Sequence, residues 1–96
     1  MKESQSITNN LLMEVDALSI RLRNIKHSFR ATHNKGLKER LFSENKNIFK
    51  RVHEILEIAV LLNKTNNEKL NFSNLLIEKT KRTLNENKFE SNLFFL

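Results

Sequence analysis

Residues 11 to 29 read LLMEVDALSIRLRNIKHSF, and within them Leu11, Val15, Leu18, Leu22, Ile25 and Phe29 recur at alternating spacings of four and three. That rhythm keeps one side of an α-helix apolar along its whole length, so it predicts a long helix over about 7–33. A stripe of this length is stable only when packed on other helices, so the rest of the chain must supply them. Ser6 or Thr8 is the expected cap at its start, and Asn34 and Gly36 are expected to stop it in the left-handed conformation.

A second helix is expected over about 37–63, with Leu41, Ile48, Val52, Ile55, Ala59 and Leu62 on one seam and Phe42, Phe49, Leu56 and Val60 widening it. Thr65 and Glu68 have the spacing of a capping box, so a third helix is expected to follow over about 66–89. Its periodicity is weaker. Leu70, Ile77 and Leu84 recur every seven residues, but Ser73, Thr80 and Asn87 fall between them, and Phe72, Leu75 and Leu76 point elsewhere. The short connections make consecutive helices antiparallel neighbours, giving an all-α, up-down-up three-helix bundle that is able to dimerise. Residues 90–96 end in the apolar run Leu93-Phe94-Phe95-Leu96, a tail that either folds back or docks on a partner.

Composition agrees with this reading. The 96 residues include one glycine, no proline and no cysteine, which removes the usual punctuation of sheets and leaves neither a disulfide framework nor a thiolate metal site. One domain of this size builds a modest core without a deep pocket between lobes. No stretch approaches a membrane span, and residues 1–20 lack the unbroken apolar region of a signal peptide, so a cytoplasmic location is the default expectation.

Two regions are candidates for function. The first is the run Ile55 to Leu62, apolar at every position but Glu57, whose residues Ile55, Ile58, Leu61 and Leu62, with Phe72, Leu75 and Leu76 of the third helix, are expected to form a protein interface for a partner or a second copy. The second follows from a net charge of +6, concentrated around the first turn. Arg30, Lys35, Lys38, Arg40, Lys46, Lys50 and Arg51 gather there, with only Glu39 and Glu44 opposing them, and form an alternative site for phosphate groups of nucleic acid. Cations at the start of the second helix oppose its dipole, a cost that an anion relieves. The chain's abundant Asn and Lys are equally what drift toward A/T-rich codons produces, so a solvated charged face accounts for the same cluster.

Catalysis is not expected. His27 and His33 stand six apart on one helix and His53 lies on another, so none has a metal-ligand partner at helical spacing. Glu14 and Asp16 have no nearby His or Cys, and the chain has no glycine-rich phosphate loop, so neither cofactor nor small-molecule substrate is anticipated.

The stretch Glu44-Asn45-Lys46-Asn47-Ile48-Phe49-Lys50-Arg51-Val52-His53-Glu54-Ile55-Leu56, continuing to residue 62, resembles the late helix of flagellar export chaperones of the hook–filament junction type. The resemblance implies a chaperone-like role in which Ile48, Val52, Ile55, Ala59 and Leu62 line a groove for a partner's helical terminus. This chain is shorter and more basic than members of that family, and its third helix departs from theirs. The residues and the resemblance together lead to a small non-catalytic binding or adaptor protein working through helix–helix contacts.

Overall fold

A computed structural model describes residues 2–65 and 72–87, with side chains described over 6–64 and 74–87. Among these residues there are three helices and no strand: α1 (Lys2–Ala31), α2 (Lys35–Thr65) and α3 (Phe72–Glu86), each in contact with both others. Ion pairs fix their directions. Arg21 of α1 bonds Glu44 of α2, and Glu14, a heptad earlier on α1, bonds Arg51, a heptad later on α2, so the two helices run antiparallel. Lys79 of α3 bonds Asp16 of α1 with Nζ 2.9 Å from Oδ1.

The α1 seam packs as its spacing predicts. Leu11, Val15, Leu22, Ile25 and Phe29 are buried and Leu18 is half-buried. The start of the helix differs from expectation: neither Ser6 nor Thr8 is its cap, because α1 is already helical from Lys2. Thr8 lies three residues before Leu11, continues the three-and-four rhythm inward and is buried. No Gly or Pro over residues 2–10 forces a later start.

The link between α1 and α2 is also tighter than its sequence suggested. Gly36 does not end α1 in the left-handed conformation: it sits in the first turn of α2, and no described residue has positive φ. Asn34 acts instead as the N-cap of α2, its Oδ1 accepting the Leu37 N–H at 3.0 Å while its carbonyl accepts the Lys38 N–H at 3.0 Å. The Thr32 N–H closes the last turn of α1 on the Ser28 carbonyl, and Thr32 Oγ1 accepts the Asn34 N–H at 3.1 Å. Asn34→Ala is therefore expected to cost about 1 kcal/mol in chemical unfolding. Gly36→Ala, whose new Cβ comes no nearer than 3.4 Å to Asn34 Oδ1, is expected to stabilise by roughly 0.5 kcal/mol.

Helix α2 buries Leu41, Asn45, Ile48, Val52, Ile55 and Ala59, which is the expected seam with one polar member added and with Leu62 only half-buried at its end. Helix α3 turns a different face inward than its heptad suggested. Leu76, Thr80, Thr83, Leu84 and Asn87 are buried, whereas Ile77 is only half-buried, so Leu76 is a core residue rather than one pointing elsewhere. The core consequently falls into two apolar clusters. One holds Leu22, Ile25, Phe29, Leu41, Ile48, Val52 and Leu84; the other holds Leu11, Val15, Ile55, Ala59 and Leu76. On α3 the two leucines are separated by the threonines, which satisfy themselves within the helix where they can: Thr80 Oγ1 donates toward the Leu76 carbonyl at 3.0 Å and the Ile77 carbonyl at 2.8 Å. Asn87 Nδ2 donates to the Thr83 carbonyl at 2.9 Å, whereas Asn45 Oδ1 is buried without a hydrogen-bond partner.

The expected third-helix start at 66, Glu68 of the capping box, Leu70 of the heptad, the last residues to 89 and the tail Leu93–Leu96 lie outside the described residues. Thr65 is the last residue of α2, two beyond the expected end at Asn63.

Candidate functional site

The apolar candidate separates into core and surface. Ile55 and Leu76 are both 0% exposed and belong to the core between helices, so they present nothing to a partner. Leu76 of α3 packs in one cluster with Ile55, which adjacent apolar residues in the sequence did not reveal. Leu61 is 61% exposed, Leu75 is 43% exposed, and Ile58 and Leu62 are half-buried. The side chain of Phe72 lies outside the described ones.

Helical geometry groups these residues. Moving a heptad back from Glu14 on α1 and a heptad on from Arg51 on α2 brings Ile7 level with Ile58, and Ile7 is itself 48% exposed. Ile7, Ile58, Leu61 and Leu62 thus stand at the end of the α1–α2 pair remote from its turn. Leu75 belongs to the opposite flank of α1, near half-buried Leu12, by the register that Lys79 and Asp16 set. Ile7 was absent from the expected interface because it precedes the α1 seam; only the antiparallel register reveals it.

The basic candidate also separates. Arg51 is not available at the turn: its Nε and Nη2 hold Glu14 at 2.6 and 2.9 Å and its Nη1 reaches Glu54 at 3.3 Å. It lies sixteen residues past Lys35 in the sequence, roughly 24 Å along the helix, and Lys50 lies beside it. Lys46 is exposed, intermediate between that pair and the turn. Arg30, Lys35 and Arg40 remain exposed around the turn, and the first turn of α2 carries no acidic residue. Lys38 is half-buried, with its Nζ 5.3 Å from the centre of the Phe29 ring, an arrangement that holds the cation over the aromatic face. The basic residues form a stripe along α2 with a cluster at one end, rather than a single patch.

Two Arg–Glu forks clamp α1 to α2. In one, Arg21 Nη2 stands 2.7 Å from Glu44 Oε1, with Nε engaging the second oxygen. Hydrogen bonds from the arginines hold the Glu14 and Glu44 carboxyls below their ordinary range, against a smaller opposing effect of burial. The same bonds push Arg21 and Arg51 up. A carboxyl that ionises more readily folded than unfolded stabilises the fold above the unfolded value of 4.5, and the contribution vanishes as pH falls through the folded value. Thermal unfolding followed by circular dichroism is expected to show a midpoint that declines below about pH 4.5. Glu14→Gln combined with Glu44→Gln should flatten that decline, modestly because the glutamates are 36% and 40% exposed.

His27, His33 and His53 are all exposed, and no group of three His, Asp or Glu able to hold a metal occurs among the described residues. No helix among them is long and apolar enough to cross a membrane. A shallow cleft between α1 and α3 is lined by Asp16, Ser19, Arg23, Lys79, Arg82, Thr83 and Glu86, with cations and carboxylates interleaved.

The fold and its surfaces define an all-α three-helix bundle. Compared with family models, with curated proteins and with solved structures, the chain matches none. Of the residues that the resemblance to export chaperones implies for a groove, Ile48, Val52, Ile55 and Ala59 are buried against α1 and α3, and Leu62 is half-buried.

Proposed function

We propose that this protein is a small, non-catalytic helical binding or adaptor protein, cytoplasmic and without a cofactor, that engages a protein partner through helix–helix contacts. The observation that carries this reading is Leu61. A leucine 61% exposed near the end of a long, otherwise well-packed helix, with half-buried Ile58 and Leu62 beside it and exposed Ile7 level with Ile58, is an anchor of the kind helix-in-groove contacts use. A chaperone-like role belongs to the same reading, with the partner's helix received at this end and not along the buried seam.

The basic cluster favours a second reading, binding of nucleic acid by Arg30, Lys35 and Arg40, because these exposed cations surround a helix start that has no acidic residue.

Affinity purification from the native cells, with and without nuclease, separates the two. The protein-partner reading expects nuclease-resistant capture that Leu61→Asp abolishes while helicity by circular dichroism stays unchanged. Capture insensitive to Leu61→Asp overturns it. The nucleic-acid reading expects capture lost to nuclease, to Lys35→Glu with Arg40→Glu, and to moderate salt.

A further inference from the structure

The cleft between α1 and α3 has a volume of about 320 Å³, at the lower end of the roughly 300–1,000 Å³ of small-molecule sites. Its charges do not all satisfy one another. Lys79 Nζ is committed to Asp16, 2.9 and 3.1 Å from the two carboxylate oxygens. Arg23 of α1 and Arg82 of α3 line the same cleft, are exposed, and form no ion pair among the described residues, whereas Arg21 and Arg51 each close on a glutamate across the α1–α2 face. They stay open although Glu86 also lines the cleft, one turn from Arg82 and, a heptad on from the Asp16–Lys79 pair in both helices, level with Arg23.

The cleft also reaches a buried hydroxyl. Thr83 is 5% exposed yet lines it. Its carbonyl accepts the Asn87 amide, but its hydroxyl makes no hydrogen bond among the described residues, whereas Thr80, one turn earlier, donates back to the Leu76 and Ile77 carbonyls. A buried hydroxyl without a partner carries an uncompensated desolvation cost, which a ligand oxygen at this point removes. Ser19, half-buried on α1, offers a second hydroxyl to the same space.

We propose that this cleft binds a small phosphate monoester, such as a phosphorylated polyol, with the phosphate between the Arg23 and Arg82 guanidiniums and a hydroxyl of the ester donating to Glu86. The donor set suits phosphate: two guanidinium forks from facing helices, and the Thr83 and Ser19 hydroxyls beside them. With Asp16 neutralised by Lys79, two arginines stand against one glutamate, so the cleft keeps an excess of one positive charge. Glu86 selects an ester over bare phosphate, because its carboxylate repels an anion and takes a donor from elsewhere in the ligand. The Asp16–Lys79 pair bounds one end of the cleft, which fits a compact ligand better than a polymer running through it. A phosphate bridging Arg23 and Arg82 ties α1 to α3, so binding is expected to raise the thermal midpoint. None of this depends on Leu61 as an anchor.

Titration of the full chain with glycerol 3-phosphate and with inorganic phosphate, followed by proton–nitrogen NMR that includes the arginine Nε signals, tests this. Saturable shifts are expected at Arg23 and Arg82 Nε and at the Thr83 amide, with the ester bound more tightly than inorganic phosphate and glycerol not bound. Arg23→Gln and Arg82→Gln, both at exposed positions, are each expected to weaken binding by about tenfold or more while circular dichroism matches wild type. Glu86→Ala is expected to remove the preference for the ester and to tighten inorganic phosphate, a result that a merely structural Glu86 does not produce. No saturable shift up to about 10 mM of either phosphate, shifts confined to Arg30, Lys35 and Arg40, or binding indifferent to Arg82→Gln overturns the inference. Tighter binding of a phosphoserine peptide than of glycerol 3-phosphate at the same signals overturns the assignment of a small ligand.

Discussion

Ile55→Ala is expected to lower the free energy of unfolding by about 2–5 kcal/mol, the range found when a fully buried branched aliphatic side chain is truncated. Ile55 is 0% exposed and belongs with Leu11, Val15, Ala59 and Leu76 in one of the two apolar clusters, so the truncation leaves a cavity lined from all three helices. For a domain of this size that is a large share of the total stability. Leu61, less than two turns later on the same helix, is expected to matter much less: Leu61→Asp costs no more than about 1 kcal/mol, from the lower helix propensity of Asp and its charge near the helix C-terminus. Urea titration of both variants measures the difference directly. The pair divides the apolar run of α2 into residues that hold the fold and one that lies at its surface.

The second large effect is a gain. Asn45→Leu is expected to stabilise the protein by about 1–2 kcal/mol and raise the thermal midpoint, because the buried Oδ1 has no partner and its desolvation goes uncompensated. Leucine has the same branching at Cγ, and it is the better helix former by a few tenths of a kcal/mol. A lower midpoint for Asn45→Leu would show that Asn45 is held by bonding the structure does not display. The register explains what Asn45 faces. Arg21 with Glu44 puts Asn45 level with Ile20 on α1, and Lys79 with Asp16 puts Thr83 at the same level on α3. Asn45 thus stands between Leu41 and Ile48, a buried polar side chain within the cluster that also holds Leu22, Ile25 and Phe29.

The sequence disclosed what periodicity can carry. The α1 seam was legible because six apolar residues keep phase over five turns, and the α2 seam because its gaps are short. Buried polar residues were not legible: Thr8, Asn45, Thr80, Thr83 and Asn87 complete the inward faces, and a search for apolar positions passes over them. Only the unbroken three-and-four spacing from Leu41 through Asn45 to Ile48 could have placed Asn45 inside. In α3 the adjacent Leu75, Leu76 and Ile77 leave the phase of the helix ambiguous: the apolar heptad runs through Ile77 and Leu84, whereas the buried face runs through Leu76, Thr80, Thr83 and Leu84. For the candidate site, composition located an apolar run and a basic run. Which members stay exposed is decided by α3 and by the Arg–Glu forks, and those depend on residues far apart in the chain.

The three-residue link at Thr32-His33-Asn34 also bears on how the chain reaches this state. Two long helices joined so closely meet through contacts that start near in sequence and zip outward from the capped turn, which is the order that loop-closure entropy favours. Among the described side chains of α3, Leu76 and Leu84 are the buried apolar ones, with threonines between them, and α3 is expected to join after that hairpin forms. Backbone amides of Leu76 to Leu84 are thus expected to exchange with solvent through partial openings that leave α1 and α2 closed, while those of Leu22 and Val52 wait for global unfolding. The molecule is in this sense a hairpin with a late-joining third member, and its folding rate should follow substitutions at the turn more closely than those in α3.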